Sequence, residues 1–427
     1  MKFRLLTSLS TLIFLLFFFA ANSLAGVRSV YDSHVAAQEG EIEDSIAKER
    51  RRDTFVDYCS VSCTFVNCLE GGSWKDHVCM DDKMLYFSPA VTTFVRDAEY
   101  FLPYTKGYTA LGFFMKPKFT YKHNDHLSVS AGVDLMGIAG DHKKIRGVSP
   151  IVTISYSPIK NITIVGGTLR NLGHCLDEPM WDYDRNFYAH KEDGLQVFAH
   201  TEHWKTEMWC NWEDFIVVDS PWQEKFTFGW RNDFYSNSFG DFHNRIKIPV
   251  NLMMNHRGGQ IDAVEDTCIE TLANVSIAIE YSCRANGITY TAGIPFYGFS
   301  NRSNEEHIHT HFKDGWGIYP NIDISGVKRG RSHNNSNYIF GRLGYWYGDG
   351  FISGRGSYLF QSRSYFDEEF ERRYRHMITA IAGYYLNEIF SIQLRAYYDI
   401  DEKSMDYSAT ISMWFDKNFK IYTFKNK

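Results

Sequence analysis

A triplet of histidines is the sharpest local cluster of side chains that could do chemistry. His307, His309 and His311 alternate with other residues in the stretch HIHTH. On an extended chain, side chains at i, i+2 and i+4 lie on one side, so three imidazoles could hold a divalent metal ion. The alternative is a polar loop exposed to solvent, because no second cluster completes the ligand set. A metal site there is a hypothesis, and no cofactor is predicted.

A second group of histidines and aspartates surrounds the longest early polar stretch. Imidazole and carboxylate groups act as general acids and bases, so a pair of them could support hydrolysis. The residues concerned are His174, His190, His200, His203, Asp182 and Asp184. The sequence has no Gly-x-Ser-x-Gly elbow, HExxH helix or P-loop. We therefore predict that the chain is not an enzyme and keep catalysis as the least favoured alternative.

The first 25 residues have the pattern of a secretory signal peptide. Lys2 and Arg4 form a positive segment, residues 12–21 (LIFLLFFFAA) an apolar segment, and residues 23–25 (SLA) a small-x-small cleavage site. An uncleaved membrane anchor is disfavoured because the apolar stretch is short. The pattern predicts export of the chain from the cytoplasm.

Cysteines are concentrated just after this signal. Four of the eight cysteines, Cys59, Cys63, Cys68 and Cys79, fall within a short stretch that disulfides could staple in an oxidising compartment. A zinc site made of the same thiolates is the alternative, but their spacing lacks the paired CxxC knuckles that such sites usually show. The connectivity of the predicted disulfides stays open.

The composition excludes several classes of protein. Among the 427 residues, 44% are hydrophobic and 16% aromatic, which is more apolar surface than disordered chains carry. The net charge of -6 provides no basic field to attract nucleic acid. After the signal, no window offers the roughly 18 consecutive apolar residues that a spanning helix needs. Helical membrane proteins and nucleic-acid binders are therefore excluded.

From about Lys83 onward the chain becomes a succession of aromatic-rich segments with period-two alternation. In residues 390–400, apolar side chains occupy every even position, and residues 405–415 repeat the pattern in the other parity. This alternation is typical of half-buried strands, and the clearest strands are about ten residues long. Residues 401–404 between them have the length of a hairpin turn.

Long two-faced strands, joined by alternately short and long connections, favour an antiparallel transmembrane β-barrel. A bilayer cannot satisfy an open sheet edge, so the sheet must close on itself. We predict an all-β barrel of about 14 strands, with roughly 12 to 16 plausible. A soluble secreted β-sandwich or β-propeller is the alternative, but sandwich strands average only about five or six residues.

Charged residues on the predicted polar face of the strands would line the lumen. They are Asp134, Glu207, Glu213, Arg231, Asp233, Arg245, Lys247, Glu280, Asp323, Arg342, Arg395, Asp399 and Asp406. Acidic and basic rows facing each other would orient polar solutes in a water channel without strong ion selectivity. Alternatively, the same charges brace a plugged interior.

Short motifs spread along the chain resemble those of porin-like outer-membrane barrels from Bacteroidota-type bacteria. They include GYTALGF at 107–113, DEPMWDYD at 177–184, WCNWE at 209–213 and HRGGQID at 256–262. The resemblance covers most of the chain after about residue 83 and implies fold and location rather than activity. The cysteine-rich N-terminal region departs from the pattern, as does the Lys425-Asn426-Lys427 ending after Phe424.

These observations combine into one predicted organisation. Residues 1–25 are a signal peptide, residues 26–82 a cysteine-containing periplasmic or plug region, and residues 83–427 a barrel in a bacterial outer membrane. The predicted function is passive or facilitated passage of small hydrophilic solutes. A non-conducting barrel that anchors or joins other surface proteins is the alternative. The predicted partners are small hydrophilic solutes, outer-membrane lipid, the barrel-insertion machinery and further copies of the chain, but not nucleic acid.

Overall fold

The computed structural model describes residues 80–143, 145–170, 173–240, 243–259, 269–285, 288–303, 312–329, 336–367, 369–386, 389–415 and 418–424. The predicted signal peptide, nearly all of the predicted N-terminal region and the candidate disulfide residues Cys59, Cys63, Cys68 and Cys79 lie outside this part. So do His307, His309 and His311, the candidate metal ligands.

All strands of the described residues belong to one antiparallel sheet. In chain order, the segments β1 to β20 are Met84–Ser88, Val91–Glu99, Tyr108–Met115, Lys118–Asn124, Leu127–Ile138, Gly147–Ile159, Ile162–Thr168, Asp193–His200, Trp204–Asp214, Lys225–Tyr235, Arg245–Arg257, Glu270–Ala285, Ile288–Ser303, Asp314–Ile318, Asn321–Arg329, Ser336–Asp349, Tyr374–Leu386, Phe390–Asp399, Ser404–Phe415 and Phe419–Thr423. A short helix, α1 (Arg185–Tyr188), and a 3₁₀ turn, Tyr358–Phe360, interrupt two long connections. In the described part of the chain, no helix is long and apolar enough to span a bilayer.

Twenty segments make sixteen barrel strands, because eight of the segments are halves of interrupted strands. β14 and β15 both pair with β13 on one side and β16 on the other. β1 and β2 together lie between the β3–β4 and β19–β20 pairs of segments. Pro89, Pro117 and Pro320 stand at three of the four interruptions, where a missing N–H breaks the ladder. The barrel is therefore confirmed, with sixteen strands rather than about fourteen.

The barrel closes between its first and last strands. β19 pairs with β2, with Ile411 opposite Val95, and β20 pairs with β1. Closure removes the free edge that a bilayer could not solvate. The short turns, such as the one that Asn124 caps through bonds from the N–H groups of His126 and Leu127, gather at one end. The long connections gather at the other end, which in outer-membrane barrels is extracellular.

The two faces of each strand differ as the alternation predicts. In β12, Val275, Ile277 and Ile279 are exposed, whereas Ser276 and Ala278 between them are buried. The exposed apolar row is the face that meets membrane lipid. The buried row faces the lumen.

Two of the long connections turn into the lumen at the extracellular end. We call residues 169–192 the first plug loop and residues 350–373 the second plug loop. Their apolar side chains, including Trp181 and Phe360, are buried against lumen-facing strand residues such as Trp209, Tyr297 and Trp346. Loops that the polarity of their sequence predicts to be extracellular therefore fill the extracellular half of the barrel.

The contact between the two plug loops depends on a glycine. A Cβ on Gly356 would lie 2.0 Å from the backbone oxygen of Pro179, far inside van der Waals contact. The backbone of Ser357 donates to the oxygen of Glu178 at 2.9 Å at the same place. No side chain larger than hydrogen fits there without moving one loop.

We expect Gly356→Ala to separate the plug loops while leaving the barrel closed. Limited trypsin digestion of the folded protein should then cut within residues 173–192 or 350–367, where the parent protein resists. Gly166→Ala is the matched control, since a Cβ at Gly166 meets nothing within 4 Å. Equal resistance of the parent and the Gly356→Ala variant would contradict this packing.

Candidate functional site

The first plug loop is tied to the barrel wall by ion pairs. Three lumen-facing arginines each bind one of its carboxylates, with nitrogen–oxygen distances of 2.6 Å: Arg342 with Asp177, Arg395 with Glu178, and Arg96 with Asp184. All three arginine side chains are buried. Removing one member of such a buried pair leaves the other charge buried without a partner, which lowers the free energy of unfolding by about 3–5 kcal/mol. The ion pairs therefore set the position of the loop.

The predicted lumen residues divide between the two ends of the barrel. Those in the extracellular half bind an extracellular loop, directly or through one arginine: Asp134, Glu207, Glu213, Asp323, Arg342, Arg395, Asp399 and Asp406. Those nearer the short-turn end contact one another or Tyr235: Arg231, Asp233, Arg245, Lys247 and Glu280. Their role in lining a pore stays a prediction.

His174 in the first plug loop is held by two carboxylates. Its Nδ1 lies 2.6 Å from Glu207 and its Nε2 lies 2.6 Å from Glu192, while the ring stacks on Trp209. Burial lowers the pKa of His174, but the charges of Glu207 and Glu192 outweigh burial and raise it to about 9. The imidazole therefore stays protonated at neutral pH, and both nitrogens are occupied. His174 anchors the loop and has no nitrogen left for proton transfer.

The backbone around His174 is strained. His174 and Cys175 have φ values of 45° and 52°, in the left-handed region that residues with a Cβ rarely adopt. Such a conformation persists where the surroundings over-determine it. The two glutamate bonds supply that constraint at His174, and Cys175 is disulfide-bonded.

His190, at the end of the same loop, has a different environment. Its Nε2 lies 2.8 Å from Oδ1 of buried Asp134, and its ring stacks on Phe114 at 4.2 Å. Its Nδ1 has no hydrogen-bond partner among the described residues. That nitrogen is buried, and a histidine oriented by a carboxylate through its other nitrogen has the arrangement of a general base. Lys116 brings a positive charge close by, 3.4 Å from the backbone oxygen of His190.

Asp182 and Asp184, two residues apart, are not equivalent. Asp184 binds Arg96, whereas Asp182 accepts a long bond of 3.3 Å from the hydroxyl of Tyr188. Burial, and then the charge of Asp184, raise the pKa of Asp182 to about 7. Asp182 can therefore exist in either protonation state at neutral pH.

The remaining candidates do not join this region. His200 ends β8 and His203 precedes β9, so both stand at the short-turn end, opposite His174 and His190. Among the described cysteines, Cys210 and Cys283 are free. Within the described residues, no group of three or more His, Cys, Asp or Glu side chains could hold a metal ion.

Comparison with known families decides the class of the chain. The model of the lipid A 3'-O-deacylase-type family matches residues 78–424. The chain belongs to this family. The family is named for an enzymatic activity, so the prediction that the chain is not an enzyme is wrong. That prediction relied on missing sequence motifs, which do not detect side chains that come together only in the folded chain.

Other comparisons concern the fold. A search of the curated proteins finds no match. Among solved structures, OprD of Pseudomonas aeruginosa is 8% identical, covering 78% of this chain and 94% of that one with a TM-score of 0.47. OprB of Pseudomonas putida is 7% identical, with coverages of 78% and 94% and a TM-score of 0.46. The trimer form of Vibrio cholerae OmpT is 7% identical, with coverages of 78% and 100% and a TM-score of 0.42. The predicted resemblance to a family of outer-membrane barrels is confirmed by the family match and by the closed barrel.

The anchoring role of His174 predicts a pH-dependent stability. Its pKa is raised above the ordinary value of about 6.5, so its stabilising contribution is complete below that pH and disappears as pH rises through about 9. The thermal unfolding midpoint should therefore fall between about pH 6.5 and 9. In His174→Gln the midpoint should be lower and this part of the pH dependence absent. Exposed His203, changed to Gln, should leave the parent profile intact, and a flat parent profile would exclude the anchor.

Proposed function

We propose that the protein hydrolyses an acyl ester of lipid A at the extracellular mouth of an outer-membrane barrel. The family name suggests the substrate and the reaction. The observation that carries the proposal for this chain is the His190–Asp134 pair with its unpartnered Nδ1. It stands at the end of the barrel that faces the outer leaflet.

In the proposed reaction, neutral His190 acts as a general base. Its Nδ1 is buried, so the reacting water must enter beside it; Nδ1 takes a proton from that water while the water oxygen bonds to the ester carbonyl carbon. Asp134 accepts the bond from Nε2–H and stabilises the imidazolium that forms. When the tetrahedral intermediate collapses, the ester C–O bond breaks and the proton on Nδ1 passes to the leaving oxygen. The products are a carboxylic acid and an alcohol.

The surroundings suit a lipid substrate. The plug loops fill the extracellular half of the lumen, which leaves the mouth as the place for chemistry. On the rim, the loop between β9 and β10 exposes Phe215, Val217, Val218 and Trp222. Apolar side chains of this kind favour contact with acyl chains of the outer leaflet.

The test is fatty-acid release from lipid A by the purified protein in detergent. We expect His190→Gln and Asp134→Asn to lower kcat by about a hundredfold to ten-thousandfold, because each removes part of the base. His203→Gln, at the opposite end of the barrel, should retain activity. Full activity of a folded His190→Gln variant would exclude His190 as the base.

Passage of small hydrophilic solutes is the second candidate function. Sixteen strands is the size at which barrels leave an aqueous channel, and Arg231, Asp233, Lys247 and Glu280 line the wall near the short-turn end. A non-conducting barrel that acts as anchor or partner subunit would share the plugged extracellular half.

Conductance in a planar bilayer tests whether the protein is an open channel or, as proposed, a barrel closed by its plug loops. Because the plug loops fill the extracellular half, we expect no stable stepwise conductance from the folded parent protein. Gly356→Ala, which displaces the loops, should conduct. Stable conductance of the parent with weak ion preference would instead support the channel.

A further inference from the structure

Arg185, the first residue of α1, has a buried side chain that forms no ion pair among the described residues. Its side chain is 9% exposed, and its guanidinium lies 4.8 Å from the centre of the Trp181 ring. Its Nε is buried without a hydrogen-bond partner, and the described residues include no carboxylate within ion-pair distance of it. By contrast, Arg96, Arg342 and Arg395 on the barrel wall each bind a carboxylate. Burying an unpaired charge is costly, so this position has a purpose other than stability.

A second arginine lies in the same part of the mouth. The N–H of Asp182 donates to the backbone oxygen of Arg355 at 2.7 Å, which puts the second plug loop against the turn before α1. The side chain of Arg355 binds Glu213 and, at 2.9 Å, the hydroxyl of Thr227. Burial first, and then the charge of Arg185, lower the pKa of Arg355 to about 10. The two guanidinium groups therefore repel each other; the charge of Glu192 offsets part of this repulsion, and a bound anion would offset more.

The nearby acidic groups are engaged elsewhere. Glu192 binds His174, and Asp184 binds Arg96. Asp182 accepts the bond from Tyr188, whose side chain is exposed and can turn toward a ligand. The charge of Arg185 acts on Asp182, Glu192 and Tyr188, but among the described residues none of them forms an ion pair or hydrogen bond with its guanidinium.

We propose that Arg185, with Arg355 and Tyr188 beside it, binds a phosphate group of the amphiphilic substrate. A guanidinium presents paired N–H donors that match two phosphate oxygens. The inference rests on the proposed function for the identity of the amphiphile, and it assigns the mouth a headgroup site next to the reacting ester.

Binding is measured calorimetrically in detergent with three probes: phosphorylated lipid A, the same lipid after removal of its phosphates, and inorganic phosphate. All variants carry His190→Gln, so turnover does not interfere. We expect the parent background to bind the phosphorylated lipid about tenfold or more tightly than the dephosphorylated one. Arg185→Gln should abolish this preference. The control Arg146→Gln, which changes an exposed rim arginine paired with Asp141, should retain it.

Thermal unfolding of the same variants gives a second readout. Since an unpaired buried cation destabilises the free protein, Arg185→Met should unfold at or above the parent midpoint, and added phosphorylated lipid should raise the midpoint of the parent alone. An unchanged preference in Arg185→Gln would overturn the proposal. Tight binding of inorganic phosphate without discrimination between the two lipids would overturn the assignment to the substrate. Preserved discrimination without ester hydrolysis by the parent would refute the proposed function and leave this site standing.

Discussion

The pairing of buried wall arginines with carboxylates of the first plug loop is the interaction on which the structure depends. A sixteen-stranded barrel has too wide a lumen for its own side chains to fill. Here the loop fills the extracellular half, and Asp177, Glu178 and Asp184 are fixed at three different strands. Each arginine is buried, so its carboxylate cannot leave without exposing an unpaired cation to a medium of low dielectric constant.

The fixed loop then determines where chemistry can occur. His174, with both nitrogens bound, holds the strained start of the loop, and His190 emerges at its end against Asp134 with one nitrogen unpartnered. Two histidines of one loop therefore differ in role because of the number of carboxylates that reach each ring. Arg185, between them in the chain, forms no ion pair among the described residues.

Part of this arrangement is predictable from the sequence. Period-two alternation identifies the lumen and lipid faces, and Arg342 and Arg395, which it predicts to face the lumen, have buried side chains. The alternation underestimates the strand count because prolines such as Pro117 and Pro320 divide some strands into short segments. The alternation does not identify such short segments as strands, although the sheet joins each pair into one strand.

The destination of the long loops is not predictable in the same way. From its polarity, the loop that contains Trp181 is predicted to be an extracellular connection. Its burial depends on ion pairs with strand residues far away in the chain, such as the pair of Asp177 with Arg342, 165 positions apart. The His190–Asp134 pair likewise joins residues 56 positions apart. Grouping the histidines by sequence proximity therefore includes His200 and His203, which β8 carries to the other end of the barrel.

The most direct test of this account is hydrogen–deuterium exchange of the folded protein in lipid nanodiscs, read by mass spectrometry over residues 173–188 and 351–361. If ion pairs hold the plug loops in the lumen, the amides of these loops exchange as slowly as those of the barrel strands. Arg395→Gln, which removes one of the ion pairs, then accelerates exchange in these loops alone. Exchange as fast as that of the exposed rim loop between β9 and β10 would show that the lumen is not closed by these loops, and the placement of the site at the mouth would fail with it.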